Sequence, residues 1–225
     1  MTTPEAGRAI SPGPDRTLLW VGAAALLAAL VVSAVHWTTT TRTGVAVPGI
    51  GAEIQQRGKT LGADAAPVTI EVFSDFLCDH CADFALQTEP AIVEEFVRPG
   101  IARLVYRHFP IVSPGSATIA AASECAAEQG HFWSYHNALF VRASRGGVRS
   151  QADLRAVAKT VGVDDEPFAR CLQSGATMSR VEDDRREGER RGVTGTPTSF
   201  VNGRAVPGAV PVEVLREAIT DARGR

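Results

Sequence analysis

Phe73-Ser74-Asp75-Phe76-Leu77-Cys78-Asp79-His80-Cys81 lies between two stretches of different periodicity. Upstream, Pro67-Val68-Thr69-Ile70-Glu71-Val72-Phe73 is β-branched and apolar enough for a strand that ends at Ser74-Asp75. Downstream, Phe84, Leu86, Ile92, Val93, Phe96 and Val97 recur near helical spacing. The two cysteines therefore fall at a strand-to-helix junction. Residues three apart in a first helical turn share a face, close enough for their sulfurs to bond. The first sulfur also lies near unpaired backbone N–H groups and the positive end of the helix dipole, which favours thiolate over thiol. Cys78 is thus the candidate exposed nucleophile, and Cys81 the sulfur that resolves a mixed disulfide. His80 favours the Cys78 thiolate through its N–H or positive charge; Asp79 opposes it.

The remaining composition limits the alternatives. A chain of 225 residues with 44% hydrophobic content can bury one good core, so a single folded unit with appendages is expected. A formal net charge of -2 without a long basic run offers little attraction to phosphates, which argues against nucleic acid as a partner. A structural zinc site wants four ligands, and no second close Cys or Cys/His pair accompanies Cys78 and Cys81; no metal is expected.

From Thr17 to Trp37 there is no Asp, Glu, Lys or Arg. As a helix this segment would span roughly 31 Å, about the hydrocarbon thickness of a bilayer. It reads as a transmembrane anchor, with residues 1–16 as a cytoplasmic tail. The competing reading is a signal peptide, since Val32-Ser33-Ala34 would pass as a cleavage site. Residues 38–60, beginning with four threonines and rich in glycine, read as a flexible tether, and 61–225 as the folded domain. On this reading the chain is expected to be a single-pass cell-membrane protein with its folded domain outside the cytoplasm, Arg8 and Arg16 preceding the segment and Arg42 following it.

Ile101-Ala102-Arg103-Leu104-Val105-Tyr106-Arg107-His108-Phe109 alternates as a second strand. Helical signals then dominate from about 114 to 191, with Phe132, Trp133, Tyr135, Leu139 and Phe140 as core candidates and Glu182-Asp183-Asp184-Arg185-Arg186 as a solvated helix face. Cys125 and Cys171 both fall in this helical stretch. Outside the cytoplasm such a pair tends to oxidise, and the bond would stabilise by roughly 4 kcal/mol in the chain-entropy picture. Two separate buried thiols and a second redox centre are the alternatives. After the helices, Gly192-Val193-Thr194-Gly195-Thr196-Pro197-Thr198-Ser199-Phe200-Val201-Asn202-Gly203 reads as a helix stop, a proline loop, a short strand and an Asn-Gly hairpin turn, with a final helix ending near Arg223.

Taken in order, Leu61-Gly62 before the first strand, the Phe73 to Cys81 segment, Gly130-His131-Phe132-Trp133-Ser134-Tyr135-His136 and the Thr196-Pro197 segment resemble the DsbA-like thioredoxin family, specifically its membrane-anchored members. The likeness runs from about Leu61 to the C-terminus. It implies an α/β thioredoxin fold with an inserted all-helical subdomain, preceded here by the N-terminal transmembrane helix. It further implies Cys78 as attacking cysteine, Cys81 as resolving cysteine, and Pro197 as a cis-proline facing the dithiol with Thr196 before it; Asp79 and His80 support the site. The redox-active disulfide then does the chemistry and no cofactor is expected. Implied partners are exported proteins that contain cysteines and a membrane reoxidant of the DsbB or vitamin-K-epoxide-reductase type. A monomer is expected.

The resemblance favours a dithiol oxidase. A disulfide isomerase or reductase would use the same residues, and a chaperone-like peptide holder would use the fold without the dithiol. One departure bears on mechanism: many thioredoxin-like proteins carry a buried acid six positions before the first cysteine, and here that position is Val72. Glu71 is adjacent, but a two-residue strand period points it to the opposite face. Water, His80, or Glu71 through a local bulge are the alternatives for proton transfer.

Overall fold

The computed structural model describes residues 54–148 and 150–224, so the 17–37 segment and most of 38–60 lie outside the described residues. Among the described residues no helix is long and apolar enough to cross a membrane. Strand β3 (Val68–Ser74) sets the architecture because its residues divide between two faces: Val68, Ile70 and Val72 are buried, Thr69 and Glu71 only partly so. It pairs in parallel with β4 (Ala102–His108) and antiparallel with β5 (Thr198–Val201). A parallel neighbour requires a crossover, here supplied by the helical stretch α1, residues 79–97. Strand β6 (Arg204–Pro207) joins β5 through Asn202-Gly203, whose φ values of 45° and 86° suit a tight hairpin turn.

The tether reading of residues 38–60 needs correction at its C-terminal end. Strands β1 (Gln56–Arg57) and β2 (Thr60–Leu61) form a hairpin that pairs with β4, giving the sheet order β1-β2-β4-β3-β5-β6. Two-residue strands are too short to display alternation, and Gly58, which suggests flexibility, supplies the positive φ of the turn.

Helix α1 is not uniform. It opens as an α-helix at Asp79–Asp83, widens to a π-helical turn at Phe84–Thr88, returns to α at Glu89–Ile92, and widens again at Val93–Val97. Pro90 has no N–H to continue the ladder, and wide turns absorb the interruption. Between β4 and β5 come α2 (Ser116–Glu128), α3 (Phe132–Ser144), α4 (Gln151–Thr160), α5 (Asp165–Ser174) and α6 (Met178–Arg190), and α7 (Val212–Arg223) ends the described chain. Cys125 on α2 and Cys171 on α5 are joined by a disulfide, with Cα atoms 5.8 Å apart.

The core lies on both sides of the sheet. On one, Phe76 stacks on Tyr106 at 5.3 Å and meets Phe140 at 4.9 Å, with Phe132, Trp133 and Tyr135 fully buried around them. On the other, Phe73, Phe109, Val193 and Phe200 form a smaller cluster beneath α6. The reading of residues 182–186 as wholly solvated is corrected here: Asp184 is buried, where it pairs with Lys59 and Arg107 and accepts from the His108 backbone N–H.

Helix α6 approaches the sheet closely at Gly188, where a Cβ would meet the Phe109 ring at 2.7 Å and Phe73 at 3.0 Å. Alanine is the better helix former by roughly 1 kcal/mol. The clash with two packed rings outweighs that gain, so Gly188→Ala is expected to destabilise by about 1–3 kcal/mol. Urea denaturation checks this; equal or greater stability would mean that α6 moves freely.

Candidate redox site

The strand-to-helix turn after β3 is held by one carboxylate. Asp75 Oδ1 accepts from the Leu77 N–H at 2.9 Å, and Oδ2 accepts from the N–H groups of Ile111 and Val112 at 2.8 and 2.9 Å. Its own carbonyl accepts from the Cys78 N–H at 3.1 Å. Asp75 thus ties the turn carrying the cysteines to the loop that leaves β4. In the sequence Asp75 marks only a strand end; the habit of Asp to accept from the backbone two residues on is the signal for its role in the turn.

Cys78 is the N-cap of α1, with extended φ and ψ of -87° and 120°, so its carbonyl enters the helix while its side chain remains outside. That carbonyl accepts from the N–H groups of Cys81 and Ala82, both at 3.0 Å. Cys78 is half-buried and Cys81 is 0% exposed; both are free thiols. Asp79 and His80 are exposed at the helix start. Across the turn, the Thr196-Pro197 bond is cis, and the Cys78 thiol lies 3.4 Å from the Thr196 carbonyl oxygen. Cys78, Cys81, Thr196 and Pro197 are therefore brought together, while Cys125 and Cys171 lie elsewhere, within the inserted helices.

The two sulfurs sit in different media. Burial pushes the Cys81 thiol up to about 12, against smaller opposing contributions from the Asp75 backbone and the Ser74 and Thr196 groups that face it. A sulfur that resists ionisation lies one turn behind one that meets solvent.

Val72 is 2% exposed, and Glu71 keeps its regular register opposite Val105 and Phe200, with no bulge to turn it inward. Burial alone would raise the Glu71 carboxyl. Hydrogen bonds and charge from Arg191 and Arg107 outweigh that and hold it below the ordinary range. Glu71 is a fixed counter-ion on the far face, and it leaves the list of proton acceptors.

His108, Glu124 and Asp184 form a buried group whose ligand-type atoms lie within 4.8 Å of one another. Lys59 Nζ is 2.6 Å from Glu124 and also pairs with Asp184. An ammonium already supplies the charge these carboxylates require, and a divalent cation beside it would be repelled. Burial alone would raise Glu124; the His108 hydrogen bond and the Lys59 charge bring it to about 2 instead.

The family described as "Thioredoxin" matches residues 55–221. Among relatives, "Na(+)/H(+) antiporter NhaA 1" of Salinispora arenicola is 36% identical over 168 residues, 74% of this chain and 25% of that protein. "Probable disulfide bond formation protein D" of Bacillus anthracis is 28% identical over 151 residues, 64% of this chain and 70% of that protein. A solved thioredoxin-like oxidoreductase from Silicibacter pomeroyi superposes with a TM-score of 0.64 at 27% identity, covering 76% of this chain and 95% of that one. The chain spans about a quarter of the length of the antiporter-named relative.

Removing the Asp75 carboxylate leaves three backbone N–H groups without their acceptor. Asp75→Ala is expected to cost about 1–3 kcal/mol and to slow thiol exchange by loosening the turn. Chemical denaturation with a parallel exchange assay tests this. Unchanged stability and rate would show that water replaces the carboxylate.

Proposed function

This chain belongs to the thioredoxin family, and from that premise we propose that it is a thiol-disulfide oxidoreductase, acting foremost as a dithiol oxidase on exported proteins. The supporting observation is the half-buried Cys78 sulfur at a helix start, backed by a fully buried Cys81 and facing the Thr196 carbonyl. In the oxidised enzyme a substrate thiolate attacks Cys78 Sγ. The Cys78–Cys81 bond breaks, its electron pair leaves on Cys81 Sγ, and that sulfur takes up a proton. A second substrate thiolate then attacks the substrate sulfur of the mixed disulfide, releasing a substrate disulfide and the Cys78 thiolate.

Two electrons and the accompanying proton now reside on the dithiol. Continued oxidation requires a membrane reoxidant of the DsbB or vitamin-K-epoxide-reductase type, and a domain outside the cytoplasm is consistent with the Cys125–Cys171 disulfide. The Thr196-Pro197 backbone beside Cys78 would pair with an extended substrate segment. Isomerase or reductase activity would use the same exchange steps with a partner that keeps the pair reduced.

Cys81→Ala removes the resolving sulfur while leaving the attacking one. Expressed in the source organism, this variant is expected to accumulate reducible adducts with exported cysteine-containing proteins at Cys78. Partners already bearing several disulfides would favour isomerase work, and absence of any adduct would contradict the exchange mechanism. Asp79→Pro is compatible with the first helical position. It removes a negative charge beside the Cys78 thiolate and is expected to raise the reduction potential by on the order of 30 mV. Equilibration with glutathione measures this, and an unchanged or lower potential would contradict it.

A further inference from the structure

Thr196 meets Cys78 from a connector, residues 192–197, that runs from the end of α6 to the start of β5. Its first residues fold back on the helix, the Gly192 and Val193 N–H groups donating to the carbonyls of Glu189 and Gly188. Its last residues are tied to β5 and β6: the Thr198 hydroxyl donates to the Gly195 carbonyl at 2.7 Å, and the Gly208 N–H to the Pro197 carbonyl at 2.8 Å. At the entrance stands Arg191, the C-cap of α6, whose side chain reaches both flanking strands. Its Nη1 donates to Glu71 Oε2 at 2.7 Å, and its Cζ lies 3.8 Å from the centroid of the Phe200 ring and 5.5 Å from that of Phe73. Glu71 on β3 and Phe200 on β5 stand directly opposite each other, so one guanidinium covers a cross-strand pair. The other Glu71 oxygen accepts from Arg107, which also holds Asp184 of α6.

We propose that Arg191 is a positioning residue for the exchange reaction: clasped between Glu71 and Phe200, it fixes the Thr196-Pro197 segment at the distance from Cys78 at which a substrate backbone is received. The inference rests on the exchange reading above and names what holds its substrate-pairing segment in place.

Each of the three segments joined by this guanidinium continues into the site. From Glu71 the chain of β3 runs on through Asp75 to Cys78, from Arg191 it runs on to Thr196, and from Phe200 it runs back through Thr198 to Pro197. Contact between residues 191 and 200 closes the chain into a loop that contains Thr196 and Pro197. The ion pair is largely sheltered from water, with the Arg191 and Glu71 side chains 21% and 17% exposed. A planar guanidinium can donate from its edge to a carboxylate while its face lies on a ring, which an ammonium cannot do. Arg191 works from the face of the sheet opposite α1, through the connector, and not on the reacting sulfurs. The turn carrying the dithiol is held separately, by Asp75 and the N–H groups of Leu77, Ile111 and Val112. Loss of the clasp is therefore felt by a substrate that uses the Thr196 backbone and not by one that meets only the sulfur.

The test follows single-turnover reduction of the Cys78–Cys81 disulfide in the full chain and in Arg191→Met by two dithiols. One is an unstructured two-cysteine peptide, which has a backbone to pair with Thr196; the other is dithiothreitol, which has none. With the peptide the half-saturating concentration is expected to rise by on the order of ten-fold, about the worth of one well-made hydrogen bond, at an unchanged limiting rate. The dithiothreitol rate should be unchanged. Arg191→Lys keeps the charge but cannot serve carboxylate and ring together, and its half-saturating concentration should fall between the two. An unchanged peptide half-saturation in Arg191→Met overturns the proposal. So does a loss of rate shared equally by peptide and dithiothreitol, which is what a general loosening of the fold would give. Should Arg191→Met fail to fold, Glu71→Gln, which removes the charge that Arg191 grips, is read by the same comparison with the same outcomes. An unsubstituted chain that reacts with neither dithiol would refute the exchange reading instead.

Discussion

The 3.4 Å contact between the Cys78 thiol and the Thr196 carbonyl joins two chain segments 118 residues apart, and the reactive geometry depends on it. Neither partner fixes that distance alone. Cys78 follows the end of β3, Thr196 precedes the start of β5, and the two strands are registered with Phe73 opposite Thr198. Sheet pairing thereby sets the separation of sulfur and carbonyl. A slip of one residue would also exchange Val72 with a residue of the other face, which hydrophobic burial on both sides forbids. The helical insert can therefore lie between the two segments without disturbing the site.

The two faces of the sheet serve different ends. Beneath α1, Cys81 belongs to the large apolar core, and burial there keeps its sulfur from ionising while Cys78 meets solvent. Along the other side, Glu71, Arg107, Arg191, Asp184 and Lys59 form a chain of ion pairs running from the sheet to α6 and the β1–β2 hairpin. Removing charges from water is costly, so such a network is weak evidence for stability. Its geometric effect is clearer: it gives α6 and the hairpin a specific seat on β3 and β4, where Gly188 lets the helix approach the rings of Phe73 and Phe109.

Much of this arrangement was legible in the sequence because the decisive signals are local. The β-branched run before Ser74, the helical spacing after Cys81, the Asn202-Gly203 turn and the aromatic run from Phe132 to Phe140 each describe their own element. What escaped depends on contacts distant in the chain. The β1–β2 hairpin is too short to show a period and exists because β4 offers it an edge. Asp184 sits in a charged run that looks solvated, and only folding brings Lys59 and Arg107 to it. Asp75 marks only a strand end in sequence, and the loop after β4 buries it. The departure at Val72 was visible, but the hold of Arg107 and Arg191 on Glu71 at the opposite face required the three-dimensional packing.

The account centres on a single reactive sulfur at a helix start, shielded from its neighbour by burial. Alkylation of the native protein at neutral pH, with the Cys78–Cys81 pair reduced and the Cys125–Cys171 disulfide intact, mapped by mass spectrometry, tests it most directly. The expected product carries one adduct on Cys78 at short times, with Cys81 modified only after denaturation. Equal labelling of both cysteines, or an unreactive Cys78, would contradict the account.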